Sequence, residues 1–384
     1  MRHQNSVMHD LLKQVPWAAF DRLVEQHGAD ARVRKLTTKA QFVALLYAQL
    51  AGAASLREIE TALASHAARL YHVGGSAVSR STLSDANALR PAALFGALFT
   101  KMAAQASRGL KRKIGEAVRL IDSTGVRLAG LGGEWARFSA RVCGAKLHIV
   151  YDPDIDRPLY AAVTTATTHD ISAAKAMPIE AGATYVFDLG YYDYGWWAKL
   201  DAAGCRIVTR FKKNTPLKLI AENPVAAGSP ILCDRIGWLP PRQAMSRKNP
   251  FQKPVREVRV KTETGKMLRI LSNDIDAPAE EIAALYKRRW AIELFFRWVK
   301  QTLRIRHFVG RSENAMRIQI AVALIAFLLL RLAQRAAAIL ESPLAFARLV
   351  RANLMHRRPI HRLLAPPEPQ PTDPRQCSLN LHPI

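Results

Sequence analysis

Tyr286-Lys287-Arg288-Arg289-Trp290-Ala291-Ile292-Glu293-Leu294-Phe295-Phe296-Arg297-Trp298-Val299-Lys300 sets one carboxylate in a strongly basic stretch. From Lys287 to Arg311 there are eight Lys or Arg residues and a single acid, Glu293. At the helical repeat, Tyr286, Arg289, Glu293, Arg297 and Lys300 share one face, while Leu285, Ile292, Phe295, Phe296 and Val299 take the other. The spacing predicts an amphipathic helix. A lone acid ringed by cations suits metal and phosphate chemistry. The same spacing equally fits an exposed i,i+4 ion pair between Glu293 and Arg289 or Arg297.

Upstream of this helix the periodicity changes twice. Residues 1–110 read as short Ala/Leu-rich helices, with Thr37-Thr38 opening one and Ser55-Leu-Arg-Glu58 forming a capping box before another. Arg80, Ser81, Thr82 and Asn87 near a helix start suit a helix-turn-helix-like DNA contact, or the polar face of a helical scaffold. From 115 to 211 strands alternate with helices: 117–124, 147–151, 160–165, 184–188 and 205–211 are strands, and a helix runs through 196–203. Residues 212–276 are strand-rich, with a hairpin of 255–260 and 267–271 turning at Gly265. They interrupt the α/β unit before its last helix, which begins near Pro278 with Asp276 as its cap. Apolar helices follow to about 365, and the Pro-rich tail 366–384 reads as disordered. The fold class is therefore α/β, with a β-rich insertion and flanking helical regions.

Charge narrows the partner. The chain of 384 residues carries a formal net charge of +25, which points to a polyanion, nucleic acid first and an anionic membrane surface second. The longest apolar run, 320–330, is too short to span a bilayer and reads as a buried helix. The N-terminus has no apolar signal core. Cys143, Cys205, Cys233 and Cys377 form no paired zinc spacing, and a reducing cytoplasm fits them. No small-molecule substrate is expected.

Three carboxylates stand out. Asp122 lies within an apolar strand, where an unpaired acid is costly. Asp188 closes the apolar run 185–187 and precedes Gly190, at a strand end where ligands gather in such sheets. Glu293 is the third. Asp122 also fits a turn cap and Asp188 an Asx turn. If the three converge, they offer hard oxygen ligands for one or two Mg²⁺ ions, and nearby cations would hold DNA phosphates.

These residues carry a family resemblance. Tyr286-x2-Arg289-x3-Glu293-x6-Lys300 resembles, at all four positions, the Tyr-Arg-Glu-Lys signature of the DDE transposases of bacterial insertion sequences, in the group called "IS four". Leu120-Ile-Asp122-Ser-Thr and Asp188-x-Gly190-Tyr191 resemble that group's upstream acids, and the resemblance covers roughly 35–335. It implies an RNase H-like catalytic core at 115–335 and metal ligation by Asp122, Asp188 and Glu293, with Mg²⁺ or Mn²⁺, two ions in all. It also implies phosphate contacts from Tyr286, Arg289 and Lys300, to which the basic face adds Arg297. Terminal inverted repeats would be bound by the N-terminal helices. The C-terminal helices, 336–365, would pair protomers in a synaptic homodimer on double-stranded DNA, located with the nucleoid. In that group an aromatic in the insertion holds a flipped base; Trp238 and Trp196 are the candidates here.

Weaker motifs remain. His169-Asp170 reads as a helix cap rather than a metal or acid/base pair, and Asp152-Pro-Asp-Ile-Asp156 as a solvated hairpin turn rather than a calcium loop. Asp193 is a rival second ligand, and Lys212-Lys213 fits a phosphate contact or a solvated strand end. Two rival functions stand beside transposition: a non-catalytic DNA-binding repressor and an endonuclease without strand transfer.

Overall fold

A computed structural model of the chain describes residues 5–31, 33–107, 117–127, 137–139, 142–244, 247–302, 309–310 and 312–364. The Pro-rich tail, Cys377, His307 and the cations Arg304, Arg306 and Arg311 lie outside the described residues.

Seven helices come first: α1 (Val7–Leu12), α2 (Trp17–Gln26), α3 (Thr38–Ala51), α4 (Leu56–Ser65), α5 (Ala67–Leu70), α6 (Arg80–Leu89) and α7 (Ala92–Ser107). Their starts follow the side-chain chemistry. Thr37, Ser55 and Ser79 each accept a hydrogen bond from a backbone N–H three residues on, filling donors a helix start leaves open. Glu58 closes the box one residue early, taking the N–H of Ala54 at 2.9 Å. Asn87 is not a surface contact. It is 2 % exposed, accepts from Gln41 at 2.7 Å and receives Asn314 on its carbonyl at 2.9 Å, so it ties α6 into the bundle.

The strands are β1 (Val118–Arg127), β2 (Arg137–Ser139), β3 (Val142–Asp152), β4 (Arg157–Thr165), β5 (Thr184–Phe187), β6 (Arg206–Arg210), β7 (Lys218–Asn223), β8 (Ile231–Trp238), β9 (Arg242–Ala244), β10 (Arg247–Lys248), β11 (Val255–Lys261) and β12 (Met267–Ser272). Between them come α8 (Asp170–Lys175) and α9 (Tyr194–Ala202). Ten strands form one sheet in the order β2-β3-β1-β5-β6-β12-β11-β8-β7, with β4 on the other edge of β3. β1 pairs antiparallel with β3 and parallel with β5, and β5 is parallel to β6. The strand-rich segment 212–276 does not stand apart: β7, β8, β11 and β12 extend the main sheet through β6, and β9 and β10 form a small ribbon. Gly265 makes the β11–β12 turn at φ +78°, a left-handed value favouring glycine.

After the sheet come α10 (Ala279–Arg288), α11 (Trp290–Thr302), α12 (Glu313–Ala336) and α13 (Pro343–Asn353). Pro278 opens α10 without a side-chain cap, and Asp274 rather than Asp276 takes the free N–H groups before it. The central strands place buried side chains in two apolar layers, one on each face of the sheet. Leu120, Leu147, Ile149 and Val186 face the helical bundle with α10 to α12; Ile121, Tyr185, Phe187 and Ile207 face α8 and α9 with Trp196 and Trp197. α12 is long and apolar enough to cross a membrane, but it runs buried through the bundle against α3, α6, α7 and α13.

The start of α1 and the segment after α13 meet in that bundle. The N–H groups of Val7 and Met8 donate to the carbonyls of His356 and Leu354, at 3.1 and 2.8 Å, and Arg351 donates to the carbonyl of Leu50.

The turn at 152–156 is the expected hairpin, with Asp154 and Asp156 part-exposed, but arginines hold all three of its acids. Arg119 holds Asp152 at 2.7 Å in a buried pair, while Arg288 grips Asp154 and Arg331 grips Asp156. The β3–β4 turn is thereby pinned to the end of α10.

Candidate active site

Parallel pairing of β1 with β5 puts Ile121 opposite Phe187. The next residues on the two strands, Asp122 and Asp188, therefore emerge side by side at the carboxyl end of the pair. Asp122 shares a sheet face with Leu120 and points toward α11; Asp188 sits just past its strand, where its Oδ1 accepts from the N–H of Gly190 at 2.8 Å. The Asx turn and the site reading are thus compatible: the turn aims the carboxylate.

Glu293 enters from α11. The basic stretch is not one unbroken helix. It divides at Arg289, where the N–H of Arg289 donates to Tyr286 and the N–H of Ile292 to Arg289, each three residues back. This tightening puts the Arg289 guanidinium between two acids. Its Nη2 pairs with Glu293 and its Nη1 lies 3.6 Å from Asp122 Oδ2. The i,i+4 ion pair exists, but it is part-buried and includes a third partner on β1. The apolar face anchors the helix: Ile292, Phe295, Phe296 and Val299 are all buried.

Electrostatics agree with the geometry. The Asp122 pKa is raised from 3.8 to about 6, first by burial, with Asp188 and Glu293 adding repulsion, against the Ser123 N–H and Arg289. Tyr286 is buried, with Arg289 over its ring at 5.8 Å. Burial raises the Tyr286 pKa against Arg289 and Arg210, with Asp188 also close enough to raise it. Arg297 is exposed and Lys300 half-buried on the following turns. The structure thus brings Asp122, Asp188, Glu293, Tyr286 and Arg289 into one locus, with Arg297 and Lys300 further along the same helix.

Whether this locus suits a cation can be tested on its own atoms. Among the described residues no three His, Cys, Asp or Glu side chains form a ready metal cage. Instead a guanidinium already serves as the cation between Asp122 and Glu293, and its Nε is buried with no hydrogen-bond partner. Three hard-oxygen donors with excess negative charge and one acid pushed toward neutrality fit a divalent ion.

The other candidate residues, Asp170 apart, lie elsewhere in the fold. Asp193 caps α9 through the N–H of Trp196 and pairs with Lys175, both at 2.8 Å, so both its oxygens are engaged. Lys212 and Lys213 are exposed, and the Lys212 ammonium stacks on Tyr192 at 4.4 Å. Trp196 is 2 % exposed in the core, whereas Trp238 is 40 % exposed at the end of β8. His169 does not cap α8 with its side chain. Asp170 turns inward to Ser123 and Lys146, beside the acids. Spacing offers His169-Asp170 only as a helix cap or a metal or acid/base pair; the contact of Asp170 with Ser123 and Lys146, which the β1–β3 pairing sets on one face, is made by the fold.

The family model described as "Transposase DDE domain" matches residues 113–329. The chain belongs to the DDE transposase family. A second model, described as a domain of unknown function, DUF4372, matches residues 3–76. A Sinorhizobium fredii protein named as transposase y4zB is 41% identical over 297 residues, covering 77% of this chain and 83% of that one. A Geobacillus stearothermophilus protein named as a transposase of insertion sequence element IS5377 is 30% identical over 240 residues, 62% of each chain. Among solved structures, the piggyBac transposase synaptic complex with hairpin DNA aligns at a TM-score of 0.48 and 11% identity, over 96% of this chain and 84% of that one. Membership in this family supports DNA transposition as the function, and transposases of the family work with divalent metal ions.

Proposed function

We propose that this DDE transposase binds the terminal inverted repeats of its element as a homodimer, hydrolyses DNA strands with Mg²⁺, and joins the freed 3′-hydroxyls to target DNA. One observation carries the reading: Asp122, Asp188 and Glu293 come from a strand interior, a strand end and a helix, yet Arg289 bridges Asp122 and Glu293, and both Asp188 and Glu293 lie close enough to raise the cost of charging Asp122. The Tyr286-x2-Arg289-x3-Glu293-x6-Lys300 spacing supports the "IS four" group. The strand arrangement β4-β3-β1-β5-β6, antiparallel on one side of β1 and parallel on the other, supports an RNase H-like core.

Asp122, Asp188 and Glu293 would hold the metal. When bound, a divalent ion supplies Lewis-acid activation for in-line phosphoryl displacement. The side chains do the rest. Arg289, released in part from the acids, offers a planar fork to a DNA phosphate. The Tyr286 hydroxyl, kept protonated by burial, donates to the same strand, while Arg297 and Lys300 hold the backbone further along α11. Exposed Trp238 is the aromatic available to stack on an unpaired base.

The test is a nicking assay on duplex carrying the element's ends, with Mg²⁺ or Mn²⁺, beside Asp122→Ala, Asp188→Ala and Glu293→Ala. Metal-dependent nicks lost in all three variants bear out the reading. Nicks that persist in Glu293→Ala remove that residue from the site, binding without any cleavage points to a repressor, and cleavage without joined product points to a nuclease.

A further inference from the structure

We propose that Asp170 is a positioning residue that sets Asp122 and Asp188 relative to each other from the sheet face opposite Glu293. This rests on the reading of the three acids as a metal site. Side chains alternate along β1, so Asp122 faces α11 and its neighbour Ser123 faces α8. There the Ser123 hydroxyl donates to Asp170 Oδ1 at 2.8 Å. Lys146 on β3 meets the same oxygen at 3.2 Å and donates to the Thr168 carbonyl at 2.9 Å. The fully buried ring of His148 places Nδ1 at 3.8 Å from it and Nε2 at 2.8 Å from the Thr164 hydroxyl.

The other Asp170 oxygen lies beside the turn that follows β5. A side chain at Gly190 would come within 3.2 Å of Asp170 Oδ2 and 3.0 Å of Asp188 Oδ1. Both carboxylates thus flank Gly190, whose N–H donates to Asp188. One carboxylate therefore grips β1 at the residue after Asp122 and flanks the turn that aims Asp188. Tyr191 lies beneath all of them. Burial first, then Asp122, Asp170 and Asp188, raise its pKa and hold the hydroxyl protonated. Lys146 balances the Asp170 charge, so Asp170 orients ligands rather than joining them. Partners of this kind typically change metal affinity by about 10–100-fold when removed.

The experiment is Mn²⁺ binding, read by the loss of the free-ion electron paramagnetic signal on titrating the full chain with MnCl2, with and without a DNA duplex. Asp170→Asn and Ser123→Ala are compared with the parent chain and with Asp188→Asn, and thermal unfolding is recorded for each. The proposal expects both Asp170→Asn and Ser123→Ala to bind Mn²⁺ about 10–100-fold more weakly, with unfolding little changed. Ser123→Ala keeps the test alive should Asp170→Asn fold poorly. Loss in Asp170→Asn equal to that in Asp188→Asn, with Ser123→Ala unaltered, would make Asp170 a ligand and overturn the proposal. Parent-like binding in both would overturn it as well. A parent chain that takes up no Mn²⁺, even with DNA, would instead remove the three-carboxylate site on which it rests.

Discussion

Asp122 is an acid kept where its charge is costly. A carboxyl whose folded pKa lies above its unfolded value destabilises the fold at pH above the folded pKa, and the penalty vanishes below the unfolded one. With 3.8 rising to about 6, Asp122→Asn should stabilise the metal-free protein near pH 7.5 by up to about 3 kcal/mol, at 1.36 kcal/mol per unit, less whatever Arg289 loses. The gain should fall to roughly half near pH 5. Denaturant unfolding at the two pH values checks this, and a variant less stable than the parent at pH 7.5 would contradict it. The same substitution should abolish nicking, as expected of a site that trades stability for function. Gly190 carries a second residue-scale prediction. Gly190→Ala forces its Cβ against Asp188 and Asp170, and a displacement of this kind should slow nicking by about 10²-fold with the protein still folded.

At the scale of elements, β8 and β11 are locked by one buried ion pair. Arg256 donates to both oxygens of Asp234, at 2.7 and 2.6 Å, and also reaches the carbonyls of Ile275 and Ala277, just before α10. Asp234→Ala leaves that guanidinium buried without its partner and should cost about 3–5 kcal/mol in unfolding free energy, whereas Arg235, on the exposed pair with Glu222, should tolerate Ala within about 1 kcal/mol. These strands also show what was legible beforehand. Apolar runs mark β1 and β5, alternation marks β11, and the amphipathic stripe around Glu293 marks α11. The break at Arg289 was not legible, because local periodicity is blind to a guanidinium drawn toward an acid more than a hundred residues earlier in the chain. The extension of the main sheet by 212–276 escaped for a similar reason: strand pairing is a long-range choice. Asp170 and the arginine clasps on the 152–156 turn are likewise contacts made by topology, invisible at the level of spacing.

At the scale of the molecule, the net charge of +25 sets the terms of DNA binding. Affinity should fall steeply with salt, with a log–log slope of about −0.9 for each phosphate neutralised. Arg297→Ala should make that slope shallower by about one unit without altering the fold, since Arg297 is exposed on α11. A slope unchanged by the substitution would place the phosphate contacts elsewhere. The N-terminal helices and the segment after α13 meet in one bundle, in which α12 packs against both α1 and α11.

If Asp122, Asp188 and Glu293 hold a divalent ion together, the ion sits within reach of all three segments. Loading the protein with Fe²⁺ in place of Mg²⁺ and adding ascorbate and peroxide generates radicals that cut the polypeptide beside the ion. Fragments should end near residues 122, 188 and 293, be suppressed by excess Mg²⁺ and be absent from Asp122→Asn. Cleavage confined to other segments, or unaffected by that substitution, would contradict it.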